Sequence, residues 1–204
     1  MQLVVDLGGV VFRWEPDEFL PRLLPRHASD RVEGRALAAR FFEGFGGTWG
    51  DFDRGVIDAA PLAESIAART GLEVAEARHV IESIPDELQP IPETAALLER
   101  LRGEGHRLFF LSNMPKPYAA HLEATHDVLG HFERGVFSSR VGVIKPEPAM
   151  FAHAAEAFGV PPSTLLLIDD MPANVRAAEA AGWRGLHFVD ARRCAADLAE
   201  LLRG

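Results

Sequence analysis

Four short polar groups in this chain could do chemistry together: Asp6, Ser112-Asn113, Lys145 and Asp169-Asp170. A carboxylate such as Asp6 can attack phosphorus and form an aspartyl-phosphate. Three carboxylates in one crevice, Asp6, Asp169 and Asp170, would repel and raise one another's pKa. A hard cation relieves that repulsion, and magnesium favours few carboxylates together with waters and phosphate oxygens. The Lys145 ammonium and the Ser112 hydroxyl could hold the remaining phosphoryl oxygens. Main-chain N–H groups of Leu7-Gly8-Gly9 could join them, because glycine lets a ligand approach the backbone closely. Taken singly, each group has an ordinary explanation. Asp6 could be a turn residue, Ser112-Asn113 loop chemistry, Lys145 a solvated lysine, and Asp169 or Asp170 the N-cap of a helix.

The joint reading depends on the elements that position these groups. Gln2 to Val5 is a short apolar run that ends at Asp6, and Gly8-Gly9 follows as a turn. After residue 90 the pattern alternates. Helices are expected from Pro92 to Gly103, over about 117–127, from Ala149 to Phe158, from Ala173 to Ala181, and over 192–202. Between them lie strands at Arg107–Leu111, Gly135–Phe137, Thr164–Ile168 and Gly185–Val189. Thr164–Ile168 is an unbroken apolar run, as expected of a strand buried on both faces. This alternation implies an α/β fold, a Rossmann-like parallel sheet sandwiched by helices with right-handed crossovers. Residues 15–88 carry helical periodicity and no convincing strand. Helices are expected there at Asp17–Leu24, interrupted by Pro21, then at Ser29–Phe42, Asp58–Arg69 and Glu73–Ile84. The expected organisation is a core of residues 1–14 and 89–204, with 15–88 a helical cap inserted after the first strand. Ligands of open parallel sheets bind at the carboxyl ends of the strands. All four groups fall at or just beyond such ends, so together they outweigh their separate explanations.

Bulk properties narrow the function classes. The chain has 204 residues, 48% hydrophobic and 25% charged, as an ordinary globular domain does. Net charge is −9, and no basic cluster is interleaved with aromatics, so a nucleic-acid partner is not expected. One cysteine, Cys194, excludes an internal disulfide and fits a reducing compartment. No apolar run reaches membrane-spanning length, and no basic region precedes the first apolar stretch, so the expectation is a cytoplasmic protein without membrane partners. A monomer or homodimer acting on a small phosphorylated substrate is the simplest fit.

The ordered motifs resemble those of the haloacid dehalogenase-like hydrolase superfamily over nearly the whole chain. They are Val5-Asp6-Leu7-Gly8-Gly9-Val10-Val11, Leu111-Ser112-Asn113, Ile144-Lys145-Pro146-Glu147, and Leu167-Ile168-Asp169-Asp170 through Asn174. Asp53-Arg54-Gly55 with Ile57, and Gly105-His106-Arg107, look most like the branch that holds alpha-D-glucose-1-phosphate phosphatases. The resemblance implies a magnesium-dependent phosphatase of a small phosphorylated metabolite, a hexose 1-phosphate favoured, working through an aspartyl-phosphate. By it, Asp6 is nucleophile and metal ligand, the Gly8 carbonyl and Asp170 are further metal ligands, and Asp169 and Asn174 support them. Leu7, Gly8, Ser112, Asn113 and Lys145 would bind phosphate.

One departure stands out. Most phosphatases of the family carry a second aspartate, as general acid and base, where this chain has Gly8. Glu15 and Asp17 are candidates to replace it, and Trp14, Phe45, Trp49 and Arg54 to line the cap. The rival reading is a 2-haloacid dehalogenase, in which the same aspartate attacks carbon without metal. The paired Asp169-Asp170 argues for the phosphatase. A low-activity phosphate-binding relative is the remaining alternative.

Overall fold

The computed structural model describes residues 2–201. Five strands, β1 (Gln2–Val5), β2 (Arg107–Ser112), β3 (Arg134–Phe137), β4 (Leu165–Asp169) and β5 (Arg184–His187), form one all-parallel sheet in the order β3-β2-β1-β4-β5. The strand β1 is central because its run is apolar on both faces. Alternating side chains divide between two core layers. Leu3, Val5, Leu108, Phe110, Leu166 and Ile168 pack on one side, Val4, Phe109, Leu111, Leu165 and Leu167 on the other. The sheet therefore needs helices on both faces, as the alternation implied.

The first layer is covered by α6 (Pro92–Gly103), through Leu97, Leu98 and Leu101, by α7 (Lys116–Thr125), through Leu122, and by α11 (Ala191–Leu201), through Leu198. The second is covered by α9 (Pro148–Phe158) and α10 (Pro172–Ala180), through Met150, Phe151, Phe158 and Ala178. The short α8 (Ser138–Val141) follows β3 directly. No described helix is long and apolar enough to cross a membrane.

Between β1 and α6 the chain is helical: α1 (Pro16–Leu23), α2 (Arg31–Phe41), a 3₁₀ turn at Glu43–Phe45, α3 (Gly47–Asp53), α4 (Ala59–Thr70) and α5 (Val74–Glu87). Its two ends meet. The Arg13 N–H donates to the Gln89 carbonyl at 2.9 Å, the Ile91 N–H donates to the Val11 carbonyl at 2.8 Å, and Phe12 bridges Pro90.

Three details differ from expectation. The helix α1 runs through Pro21 instead of breaking there. The Asp17 carbonyl that Pro21 leaves without its helical partner lies against Gly34 of α2, where a Cβ would come within 2.5 Å of that oxygen. The helix α4 begins at Ala59, one residue after the expected start at Asp58, whose side chain makes no capping bond. The segment Gly47–Asp53 is a helix despite Gly47 and Gly50, because burying Trp49 and Phe52 outweighs the weak helical propensity of glycine.

Candidate active site

Strand order brings the distant polar groups to one edge. Asp6 follows central β1, while Ser112 and Asp169 end its two neighbours, β2 and β4. Lys145 reaches between them from the loop before α9. Its Nζ lies 2.9 Å from Asp6 Oδ1 and 2.7 Å from Asp169 Oδ2. It is 3% exposed, which excludes the solvated-lysine explanation.

Asp169 is fully committed. Its Oδ1 accepts from the Met171 N–H and from Asn174 Nδ2, each at 2.9 Å, while Oδ2 takes Lys145. It fixes the start of α10 and the lysine at once. The Leu7 N–H donates to Asp6 Oδ1 at 2.7 Å and orients that carboxyl. The Asn113 side chain has a structural part. Its amide clips the Lys145 backbone, donating to the Lys145 carbonyl at 2.9 Å and accepting from the Lys145 N–H at 2.7 Å. That side chain is spent on holding the lysine loop. Ser112 is buried and lines the cavity above this edge.

Carboxylate oxygens of Asp6, Asp169 and Asp170 lie within 4.8 Å of one another. Burial, with Asp169 and Asp170 adding repulsion, pushes the Asp6 carboxyl well above the ordinary range against the pull of Lys145. Burial, then Asp169, raises Asp170 to about 6. Burial alone would lower Lys145, but Asp169 and Asp6 more than offset it, so the ammonium is stabilised. This excess of crowded negative charge is what a divalent cation would neutralise. Asp6 and Asp170 can supply oxygen ligands, since Asp169 has none to spare, and the Gly8 carbonyl lies in the same turn. Few protein oxygens beside open space suit magnesium. Gly9 keeps this cluster tight. At φ +78° it takes a conformation that favours glycine, and a Cβ there would stand 2.5 Å from Asp170 Oδ2.

A cavity of about 440 Å³ opens over the cluster. The sheet edge supplies Asp6, Gly8, Ser112, Lys145 and Asp170, and the helical insertion supplies Trp14, Trp49, Asp53, Arg54 and Leu88. Trp14, Trp49 and Arg54 thus line it as the sequence suggested; the Phe45 side chain lies outside the described residues. Trp49 also packs edge-on against Phe42 and Phe52, so it serves core and wall together. Glu15 and Asp17 do not line the cavity. Desolvation works to raise Asp17, but Arg35 and Arg31 together outweigh it and hold the carboxyl below its usual range, which suits an ion pair and not an acid.

Sequence reasoning missed Asp53 as a cavity residue. The available signal was slight: of the two carboxylates in the Gly47–Asp53 segment, Asp53 directly follows the aromatic Phe52. Three contacts anchor this segment to the core. Ser138 Oγ donates to the Asp53 carbonyl at 2.6 Å, Lys116 Nζ donates to the Gly55 carbonyl at 3.1 Å, and Arg54 pairs with Glu147. Gly55, at φ +71°, passes so close that a Cβ would meet the Ser139 carbonyl at 2.8 Å.

Comparison with known proteins agrees with this geometry. A sesquiterpene phosphatase of Aspergillus oryzae is 26% identical over 200 residues, covering 98% of this chain and 95% of that protein. A phosphoglycolate phosphatase of Cupriavidus necator is 28% identical over 182 residues, covering 88% and 77%. Among solved structures, a HAD family enzyme of Bacteroides thetaiotaomicron in complex with magnesium and inorganic phosphate shares the fold. Its TM-score is 0.70 at 21% identity, over 91% of this chain and 92% of that one. The sequence pattern of the haloacid dehalogenase-like hydrolases matches residues 3–182, and the chain belongs to that family of hydrolases.

Proposed function

We propose that the protein is a magnesium-dependent phosphatase in which Asp6 attacks phosphorus and forms an aspartyl-phosphate. The reading is carried by three carboxylates within 4.8 Å of one another beside one buried lysine. That set suits a cation and a phosphate dianion together, and it is overly anionic without the cation. Lys145 and the Gly8 N–H meet the phosphoryl oxygens, while the Leu7 N–H, expected from sequence to join them, is engaged on Asp6 Oδ1 and orients the nucleophile. Ser112 adds a hydroxyl, and Asn113 holds the lysine loop. Asp6 and Asp170 would hold the cation, which when bound would supply neutralisation of the phosphate charge. Hydrolysis of an aryl phosphate in magnesium, lost on chelation and restored by adding the ion back, is the expected result. Undiminished activity in chelator, together with chloride release from 2-chloropropionate, would establish the dehalogenase reading instead.

Gly9→Ala is expected to weaken magnesium on the order of 10–100-fold, because the new methyl displaces the Asp170 carboxylate. The thermal shift on magnesium addition reads this independently of turnover. An unchanged shift would mean that Asp170 does not ligate.

The helices α1–α5 act, in this reading, as the cap that selects the alcohol part of the ester. A hexose 1-phosphate remains the substrate implied by the closest-looking branch. The wall itself favours a second class. Trp14, Trp49, Leu88, Met114 and Tyr118 present apolar surface, and Arg54 is already paired with Glu147. A monophosphate of an apolar alcohol fits such a wall, and the similarity to a sesquiterpene phosphatase supports it. Specificity constants for a hexose 1-phosphate and an isoprenyl monophosphate, measured side by side, decide between the classes.

A further inference from the structure

Gly8 leaves the sheet edge without a proton donor for the departing oxygen. An ideal Cβ at Gly8 would meet nothing within 4 Å, so the space beside it is open and belongs to the cavity. The donor must then come from elsewhere in the cavity wall.

The titratable groups lining that wall are few: Asp6, Asp53, Arg54, Tyr118, Lys145, Glu147 and Asp170. Asp6 and Asp170 belong to the cation cluster. Lys145 is held between Asp6 and Asp169. Glu147 is taken by Arg54 through one oxygen and accepts from the Ile144 N–H through the other. Tyr118 donates its proton to the Ile81 carbonyl at 2.7 Å. Asp53 alone among the described wall residues has an uncommitted carboxyl. It is 3% exposed, and no hydrogen bond or ion pair to that carboxyl is made by the described residues.

Resting on the phosphatase reading, we propose that Asp53 is the general acid and base of the reaction, supplied from the helical insertion in place of a residue at position 8. Asp6 lines the cavity from the sheet edge and Asp53 from α3. In an in-line displacement the leaving oxygen faces away from the nucleophile, toward the insertion. As the Asp6–phosphorus bond forms and the ester P–O bond breaks, the departing electron pair takes the Asp53 proton and leaves as the alcohol. Water then enters from the same side and gives a proton back to Asp53. Its oxygen bonds phosphorus, and the Asp6–phosphorus bond breaks to release phosphate. One group serves both halves because leaving alcohol and entering water occupy the same place.

The surroundings keep the required proton on Asp53. Burial raises its pKa to about 8, against the opposing charges of Arg54 and Lys145. Tyr118, from α7, is neutral and faces it, while α4 and α8 bring no charged group to it among the described residues. The bond from Ser138 to the Asp53 main chain, with the Lys116–Gly55 and Arg54–Glu147 contacts on its far side, fixes where the carboxyl stands.

The test compares an aryl phosphate, whose leaving group departs unprotonated, with an alkyl phosphate. Asp53→Asn keeps the shape and removes the acid. Its kcat/KM for the alkyl phosphate, which covers only phosphorylation of Asp6 and loss of the alcohol, is expected to fall on the order of 10²–10⁴-fold. Its kcat/KM for the aryl phosphate should fall far less, while kcat falls on both esters because hydrolysis of the shared aspartyl-phosphate has lost its base. Wild-type kcat/KM for the alkyl ester should decline above about pH 8, and the variant should lack that limb. Adding Gly8→Asp to the variant should restore alkyl turnover. Equal loss of kcat/KM on both esters, or no loss of kcat/KM on either, overturns the proposal. If the variant does not fold, rates of the wild type across alkyl leaving groups decide: a shallow dependence on leaving-group pKa supports an acid, and a steep one refutes it. A wild type inactive on both esters in magnesium would instead refute the phosphatase reading.

Discussion

Asp6→Asn is expected to lower turnover on the order of 10⁴–10⁶-fold without loss of folding. A carboxamide has nearly the shape of a carboxylate but cannot attack phosphorus. The Leu7 N–H can still donate to its oxygen, as it does to Asp6 Oδ1 at 2.7 Å. The stability expectation follows from charge. Two buried carboxylates, Asp6 and Asp169, share one ammonium, and Asp170 adds repulsion. Because burial raises the Asp6 pKa, its ionised form opposes folding at neutral pH, and a neutral isostere removes that opposition. The melting temperature of the metal-free variant should equal or exceed that of the wild type. Beryllium fluoride should mark Asp6 in the wild type. An adduct on another residue, or near-wild-type turnover in a homogeneous Asn variant, would remove Asp6 from the nucleophile's place.

Lys145→Ala is expected to damage both activity and stability. The ammonium stands 2.9 Å from Asp6 and 2.7 Å from Asp169, and all three are buried. Removing it strands two charges away from water, which typically costs about 3–5 kcal/mol. It also removes a positive group from the transferring phosphoryl, worth on the order of 10²–10³ in rate. Lys145→Arg should lose much as well, but less. The charge survives, whereas a planar fork cannot occupy the place of a compact ammonium held between Asp6 and Asp169. Denaturant midpoints and kcat/KM together check this. Wild-type kinetics for the alanine variant would make Lys145 a bystander.

Much of this site is legible in sequence because strand ends are. Asp6, Ser112 and Asp169 each close an apolar run, and a parallel sheet puts the carboxyl ends of its strands on one edge. Lys145 was readable as a candidate by motif, but its burial was not, since Lys-Pro-Glu-Pro equally describes an exposed loop. Asn113 shows a further limit. Residue type suggested a phosphate ligand, and only geometry reveals an amide spent on the Lys145 backbone. Asp53 was hidden because α3 holds glycines and forms through tertiary burial rather than local propensity. The unbroken α1 was missed for a related reason: the loss at Pro21 is local, and the close approach of Gly34 that accompanies it is not.

The clasp of Arg13 with Gln89, and of Val11 with Ile91, has a bearing on inheritance. To the sheet, everything from α1 to α5 is one closed loop whose two ends are already side by side. The entropy of closing such a loop grows only logarithmically with its length, about 0.6 kcal/mol per doubling. Segments could therefore be lengthened, shortened or exchanged between the same two anchor points with little consequence for the strands beneath. The carboxylate and lysine floor would pass unchanged between descendants, while the roof was free to drift wherever it kept an acid in the place of Asp53.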